Sequence, residues 1–258
     1  MIITSWNVNS VRARIENIKE YLQKFSPDVV MMQEIKTQDE TFPYDDFSSL
    51  DYESHVFGQK SYNGVAIISK HKLENVRLDL IKDKLKQSRI ISAEIKHKKK
   101  NIQLINIYTP NGNPVDTDKY SYKKEWLDNL IKQLKTLSKK NENIILAGDF
   151  NILPSAEDAY NIKGFEDDAL YRLEIRKKFR EMINLGFHDA YRHIHGETEG
   201  YTYWDYMRGA WQKNNGLRID HFLVSNSLLN IVKNVNINKD PRGKEKPSDH
   251  TPIEIELG

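Results

Sequence analysis

The sequence predicts an α/β fold with mixed β-sheets, and three observations predict it. Short β-prone runs recur along the whole chain. Helical apolar patterns come singly between some of them, while other neighbouring runs are separated only by short polar turns. No Pro/Gly/Ser linker and no solenoid-period repeat divides the 258 residues, so one domain over 1–258 is expected. A doubly wound parallel sheet needs a crossover helix between successive strands, and this pattern lacks them.

The elements follow in chain order. Residues 2–8 alternate and are rich in β-formers. Residues 14–25 place Ile15, Ile18, Tyr21, Leu22 and Phe25 on one face at spacings of three and four, which predicts a helix. Residues 28–32 are a short apolar run after a proline, as a buried strand should be. Residues 64–69, 89–95 and 102–108 read as strands. Between the last two, KHKKKN at 96–101 is a solvated hairpin tip. Residues 123–137 form a helix through Trp126, Leu127, Leu130, Ile131, Leu134 and Leu137. A strand over 144–147 precedes a helix over 168–185, which Gly186 ends. Strands over 218–224, 235–238 and 253–257 close the chain. Long polar loops at 36–47, 111–122, 154–167 and 208–216 are where functional groups usually gather.

Composition narrows the function. Lys and Arg number 39 against 37 Asp and Glu, a net charge of +2. That excludes a strongly cationic nucleic-acid coat and an acidic tail protein, but it leaves room for a local basic face. The absence of cysteine excludes disulfides, thiolate metal sites and cysteine nucleophiles. No basic-then-apolar leader and no apolar stretch of ~18 residues is present, so a cytoplasmic protein with no membrane partner is expected.

Five segments set polar groups at the ends of apolar strands: Ser5–Asn9, Gln33-Glu34, Gly148–Asn151, Arg218–Phe222 and Ser248–Pro252. A lone Asp after a strand is usually a turn or a cap. Together the segments supply Asn7, Glu34, Asp149, Asn151, Asp220, Asp249 and His250. An oxygen-rich set with one imidazole and no thiolate suits Mg²⁺, with Mn²⁺ as a substitute, better than zinc. The chemistry open to such a set is hydrolysis of a phosphate ester. His221 faces away from Asp220 by the period-two rule and reads as structural. Asn9 reads as a turn residue.

The strings SWNVNSVRAR, MMQEIK, NIYTPNG, LAGDFN, GLRIDHFLVS and KPSDHTPI occur in the order of the exonuclease III / AP endonuclease family, within the endonuclease/exonuclease/phosphatase superfamily. The resemblance runs from residue 2 to about 257. It implies a four-layer α/β/β/α sandwich of two mixed sheets flanked by helices, as in DNase-I-like folds. It also implies roles. Glu34 resembles the principal metal ligand, with Asn7 beside it and Asp249 in support. Asp149 resembles the group that orients or deprotonates the attacking water, and Asn151 the group that holds the water or the phosphate. His250 would contact the scissile phosphate or share the metal, oriented by Asp220. Tyr108 and Asn111 resemble phosphate-side contacts. One departure is Asn111-Gly112, where many bacterial relatives carry Gln before the Gly. It leaves open the balance between 3′-exonuclease and abasic-site endonuclease, not the chemistry.

The implied partner is double-stranded DNA with abasic sites or 3′ ends. Implied too is a monomer in the cytoplasm, nucleoid-associated in a prokaryote. In the family the segment YTYWDY (residues 201–206) supplies an aromatic wall that accepts a sugar lacking its base, and Tyr203 and Trp204 match it. Alternation pairs Tyr201 with Tyr203 on one face and Trp204 with Tyr206 on the other. Arg89, Arg208, Lys213 and Lys246 are candidate phosphate contacts. Two other readings compete. A phosphatase or phospholipid phosphodiesterase of the superfamily would share the carboxylates but not the aromatic segment with its basic loop. A non-catalytic DNA-binding module would not need five polar groups at strand ends.

Overall fold

A computed structural model describes residues 1–258 and contains twelve strands and five α-helices. In chain order these are β1 (Ile2–Asn7), α1 (Ile15–Phe25), β2 (Val29–Gln33), α2 (Tyr44–Ser48), β3 (Glu53–Phe57), β4 (Val65–Ser69), β5 (Glu74–Arg77), β6 (Ile90–His97) and β7 (Lys100–Tyr108). Then come α3 (Asp118–Leu137), β8 (Ile144–Asp149), α4 (Leu173–Asn184), β9 (Phe187–Asp189), α5 (Ala190–His195), β10 (Asp220–Ser225), β11 (Val232–Ile237) and β12 (Ile253–Leu257). One sheet runs β11-β12-β1-β2-β4-β3, the other β5-β6-β7-β8-β10-β9. Only β1–β2 and β7–β8 pair in parallel, and α1 and α3 are the crossovers those pairs require.

Apolar faces stack the layers. Ile18, Tyr21 and Leu22 of α1 and Phe47 of α2 pack on Val30, Met32, Ala66 and Ile68 of the first sheet. Trp126, Leu127 and Leu130 of α3 and Phe179 of α4 pack on Ile105, Ile107, Ile144 and Leu146 of the second. Between the sheets lie Ile3, Val29, Met31, Leu104, Ile145, Ala147, Phe222 and Val224. The molecule is therefore a four-layer α/β/β/α sandwich with two mixed sheets.

The inner face changes character along each central strand. Residues two apart share a face, so Ile3 leads to Ser5 and Asn7, and Met31 to Gln33. Leu104 leads likewise to Asn106 and Tyr108, and Ala147 to Asp149. On β10, Val224 and Phe222 lead back to Asp220. Apolar burial holds one end of the sandwich, and buried polar groups crowd the other. That polar end is the site.

Three strands lie outside the sequence expectation. β3 carries Glu53, Ser54 and His55, β5 is exposed throughout, and β9 has three residues. Edge strands need no apolar alternation, so periodicity misses them. The helix expected over 168–185 begins at Leu173. The Asp168 carboxylate instead accepts Asn113 Nδ2 at 3.0 Å and Leu170 N at 2.8 Å, which spends it on a turn.

Candidate active site

Glu34 follows β2 with φ +51°, a left-handed backbone that turns its side chain out of the strand path. Its Oε1 accepts the Tyr108 hydroxyl at 2.7 Å and Asn7 Nδ2 at 3.2 Å, and its Oε2 pairs with Lys36 Nζ at 2.8 Å. Burial pushes this carboxyl up, but Lys36, Tyr108 and Asn7 outweigh it and leave the group below the usual range. Asn7, at the end of β1, also donates to Asp149 Oδ2 at 3.0 Å. Its Oδ1 accepts the Asn9 backbone N–H. Asn7 thus presents its NH₂ to two carboxylates and holds them together.

Asp149 ends β8 and is 1% exposed. Its Oδ1 accepts Asn151 N at 2.9 Å. Burial pushes its carboxyl up to about 7, against the pull of His250. Asn151 has φ +49°; its Nδ2 donates to Thr109 O at 3.0 Å and its Oδ1 accepts Asn111 Nδ2 at 3.2 Å. The two loops that follow β7 and β8 are so tied at the site.

His250 Nδ1 lies 2.8 Å from Asp220 Oδ2, which also accepts Thr202 Oγ1 at 2.6 Å. Burial alone would lower the imidazole; Asp220 outweighs it and raises the pKa to about 10. Asp220 thus favours the charged form of the ring, whose Nε2 lies 3.8 Å from Asp149 Oδ2. Ligand atoms of Asp149, Asp220 and His250 all lie within 4.8 Å of one another, a buried cluster able to hold a metal ion. Asp220 and His250 are largely spent on each other. The carboxylates left facing the cleft are Glu34, Asp149 and Asp249, a hard oxygen set.

The cleft above them encloses about 820 Å³. Glu34, Tyr108, Asn111, Asp149, Asn151, Asp249 and His250 form its floor, and Tyr203, Leu217, Ile219 and Leu170 an apolar wall. Arg208 and Lys213 also line it. The Tyr203 ring meets His250 edge-on at 5.0 Å.

Trp204, Arg89 and Lys246 sit outside the cleft lining, and Asp249 lies within it but apart from Glu34. Trp204 is fully buried, against Tyr201 and Trp211, so Tyr203 alone faces the cleft. Residues 201–206 are not a regular strand: Thr202 N and Tyr203 N both bond Leu217 O, which breaks the alternation. The Arg89 guanidinium lies over the Tyr108 ring at 4.7 Å and donates to Tyr108 O, so it orders Tyr108 from behind. Lys246 is exposed, away from the cleft lining. Asp249 reaches Glu34 only through a relay: its Oδ1 accepts Asn9 Nδ2 at 3.0 Å, and Asn9 Oδ1 accepts Lys36 Nζ.

Asn9, Lys36 and Lys123 are the functional neighbours sequence reasoning passed over. Asn9 and Lys36 stand inside the strings SWNVNSVRAR and MMQEIK, where the signal was available. Lys123 had none, since it lies on a helix among other lysines. It is wholly buried, and its Nζ donates to the carbonyls of Asn111, Asn151 and Ala169.

Residues 4–250 match the endonuclease/exonuclease/phosphatase family. The chain belongs to this family. It is 33% identical to the exodeoxyribonuclease III of Haemophilus influenzae over the whole of both chains. It is 32% identical to the exodeoxyribonuclease of Bacillus subtilis, over 99% of this chain and 98% of that one. Among solved structures, the Neisseria 3′ phosphatase NExo bound to a product DNA hairpin matches with TM-score 0.94 and 32% identity, covering 100% of this chain and 99% of that one. An AP endonuclease from Archaeoglobus fulgidus matches at 0.93 and 32%, with the same coverage. These relatives put the chain in the exonuclease III / AP endonuclease branch of the family. No helix is long and apolar enough to cross a membrane.

Proposed function

We propose that the protein is a divalent-metal-dependent DNA-repair nuclease of the exonuclease III type. It cleaves the phosphodiester 5′ to an abasic site and removes nucleotides or blocking groups from the 3′ ends of duplex DNA. The observation that carries this reading is the meeting of Asp149, held by Asn7, with the Asp220-oriented His250 on the floor of a cleft with an apolar wall.

Asp149, its carboxylate fixed by Asn7 Nδ2 and the Asn151 N–H, orients a water and takes its proton. The water oxygen bonds to phosphorus as the bond from phosphorus to the 3′ oxygen breaks, and that oxygen takes a proton from solvent. His250 presents Nε2–H to a phosphate oxygen, and Asp220 keeps the ring charged and aimed. Asn151 and Asn111 face the same phosphate from the β7 and β8 loops. Glu34 and Asp149 would hold Mg²⁺, with Mn²⁺ as a substitute, and the ion supplies Lewis-acid stabilisation of phosphoryl charge. Tyr203, Leu217 and Ile219 receive the base-free sugar. Arg208 and Lys213 meet flanking phosphates. One catalytic domain spans 1–258 and works as a cytoplasmic monomer.

The test is a duplex oligonucleotide carrying one tetrahydrofuran abasic analogue, incubated with Mg²⁺, with EDTA, and with Asp149→Ala. Incision with Mg²⁺ only, lost in the variant, is the expected result. Absence of any Mg²⁺-dependent cut would end this reading.

A further inference from the structure

One layer beneath the site, the two sheets are joined by a buried amide pair. Gln33 and Asn106 are both 0% exposed. Gln33 Nε2 donates to Asn106 Oδ1 at 2.7 Å, and lies 3.1 Å from Ser5 Oγ and 3.0 Å from Met31 O. Asn106 Nδ2 donates across the sandwich to Met32 O and Ala66 O, both at 2.9 Å. Those two carbonyls belong to adjacent, paired strands, β2 and β4. Asn106 on the second sheet therefore clamps two strands of the first.

The placement of this clamp is what matters. Gln33 immediately precedes Glu34; Asn106 lies two residues before Tyr108 and pairs with Ala147, two before Asp149. The site is divided between the sheets in the same way. Asn7 and Glu34 come from the first sheet, and Tyr108, Asp149 and Asp220 from the second. The Tyr108–Glu34 and Asn7–Asp149 contacts thus span the sandwich. On the side of the pair away from the site, the inter-sheet layer holds an aliphatic and aromatic core. Apolar contact is non-directional and opposes a small slide of one sheet over the other only weakly, whereas hydrogen bonds fix distance and angle. The clamp has a cost, since Gln33 Oε1 is buried without a partner.

We propose that Gln33 and Asn106 are positioning residues. They fix the register of one sheet against the other, and so hold Glu34 opposite Tyr108 and Asp149. The kinetic consequence rests on the nuclease reading above; the structural one does not.

Apolar replacement separates register from stability. Gln33→Met and Asn106→Leu are made singly and together. Gln33→Met leaves Asn106 Oδ1 without its donor, and Asn106→Leu leaves Gln33 Nε2 with Ser5 Oγ and Met31 O alone, so each melting temperature falls. The double variant removes both amides and should recover much of that loss. Its crystal structure should show the 2.7 Å Tyr108–Glu34 contact broken. On the tetrahydrofuran duplex its kcat should drop on the order of 10- to 100-fold with KM little changed, and Mn²⁺ affinity measured by electron paramagnetic resonance should weaken. A double variant that keeps the Tyr108–Glu34 contact together with wild-type kcat and Mn²⁺ affinity overturns the proposal. If the double variant does not fold, Asn106→Leu alone decides on the same readouts. If the wild-type protein fails to cut, the nuclease reading falls, and the crystal structures still decide the register.

Discussion

At the scale of the residue, three buried aspartates show that environment, not identity, sets the role. Asp158 and Asp189 both face the buried Arg218 guanidinium. Burial pushes each up, but Arg218 outweighs it and holds both below the usual range. Asp149 is as deeply buried, with an imidazolium at 3.8 Å and Asp220 nearby, and its carboxyl rises to about 7. The first two are structural anions and the third is a base in waiting. Asp149→Asn should therefore do two opposite things. It removes the proton acceptor, and kcat should fall by a factor on the order of 10²–10⁴. It also removes a poorly compensated buried charge, and the melting temperature should rise by about 2–4 °C for each kcal/mol regained. Steady-state kinetics and calorimetry on one preparation check both. A variant that lost activity and stability together would show that Asp149 holds the fold rather than the reaction.

At the scale of the element, the segment that enters β10 carries both the site and its foundation. Asp220 faces the cleft side, while Arg218 and His221 reach into an ion network beneath it. Arg218 Nε donates to Asp158 Oδ1 at 2.7 Å, and its NH2 pairs with Asp189 Oδ2 at 2.9 Å. Arg218→Met leaves Asp189 buried without its guanidinium and Asp158 with Arg192 as its only cation, and should cost roughly 3–5 kcal/mol in urea unfolding. His221 belongs to the same network. Its Nδ1 faces Arg218 NH1 at 3.0 Å and its Nε2 donates to Ile152 O. Burial first, then Arg218, lowers its pKa to about 4 from an ordinary 6.5. Between those values the unfolded chain binds the proton that the native ring refuses. Stability is therefore lost as pH falls from 6.5 towards 4, by about 2 kcal/mol between pH 7 and pH 5 from this group. Asp149 and His250, both raised, act in the opposite sense over this range, so the His221 share is read as the difference between the urea-midpoint shifts of wild type and His221→Gln. The same elements show how much of the site could be read from sequence. Asn7, Glu34, Asp149 and Asp220 were legible as a set: one such residue at a strand end is usually a turn or cap, but several apolar strands each carry one. Tyr203 was not separable from Trp204. The split depends on Leu217 O accepting two consecutive N–H groups, a tertiary contact that periodicity cannot encode. Arg89 and Lys246 read as cations near motifs; only folding turned one onto the Tyr108 ring and left the other outside the cleft.

At the scale of the whole molecule, a net charge of +2 has to be reconciled with a polyanionic substrate. Distribution reconciles it. The cleft floor holds Glu34, Asp149 and Asp249, with Asp220 behind His250, while Arg208 and Lys213 stand in the cleft lining. Productive DNA binding should therefore need a divalent cation on the floor and cations at the rim. Each Lys or Arg that neutralises a phosphate releases counterions, so affinity falls linearly on a log–log plot against salt. Arg208→Ala and Lys213→Ala should each make that slope shallower by about 1. The hairpin tip supplies the control. Lys98 and Lys99 join β6 to β7, and β7 then runs through Lys100–Tyr108 before it reaches the site. At ~3.3 Å per residue that is roughly 25–30 Å along the strand. The tip concentrates more positive charge than the rim, and by composition alone it would be the DNA patch. Lys98→Ala and Lys99→Ala should leave the slope unchanged when abasic duplex binding is titrated by fluorescence anisotropy in Ca²⁺, from 50 to about 200 mM salt. A slope that responded to the tip and not to the rim would place the duplex on the wrong end of the sandwich, and the cleft would lose its claim to the substrate.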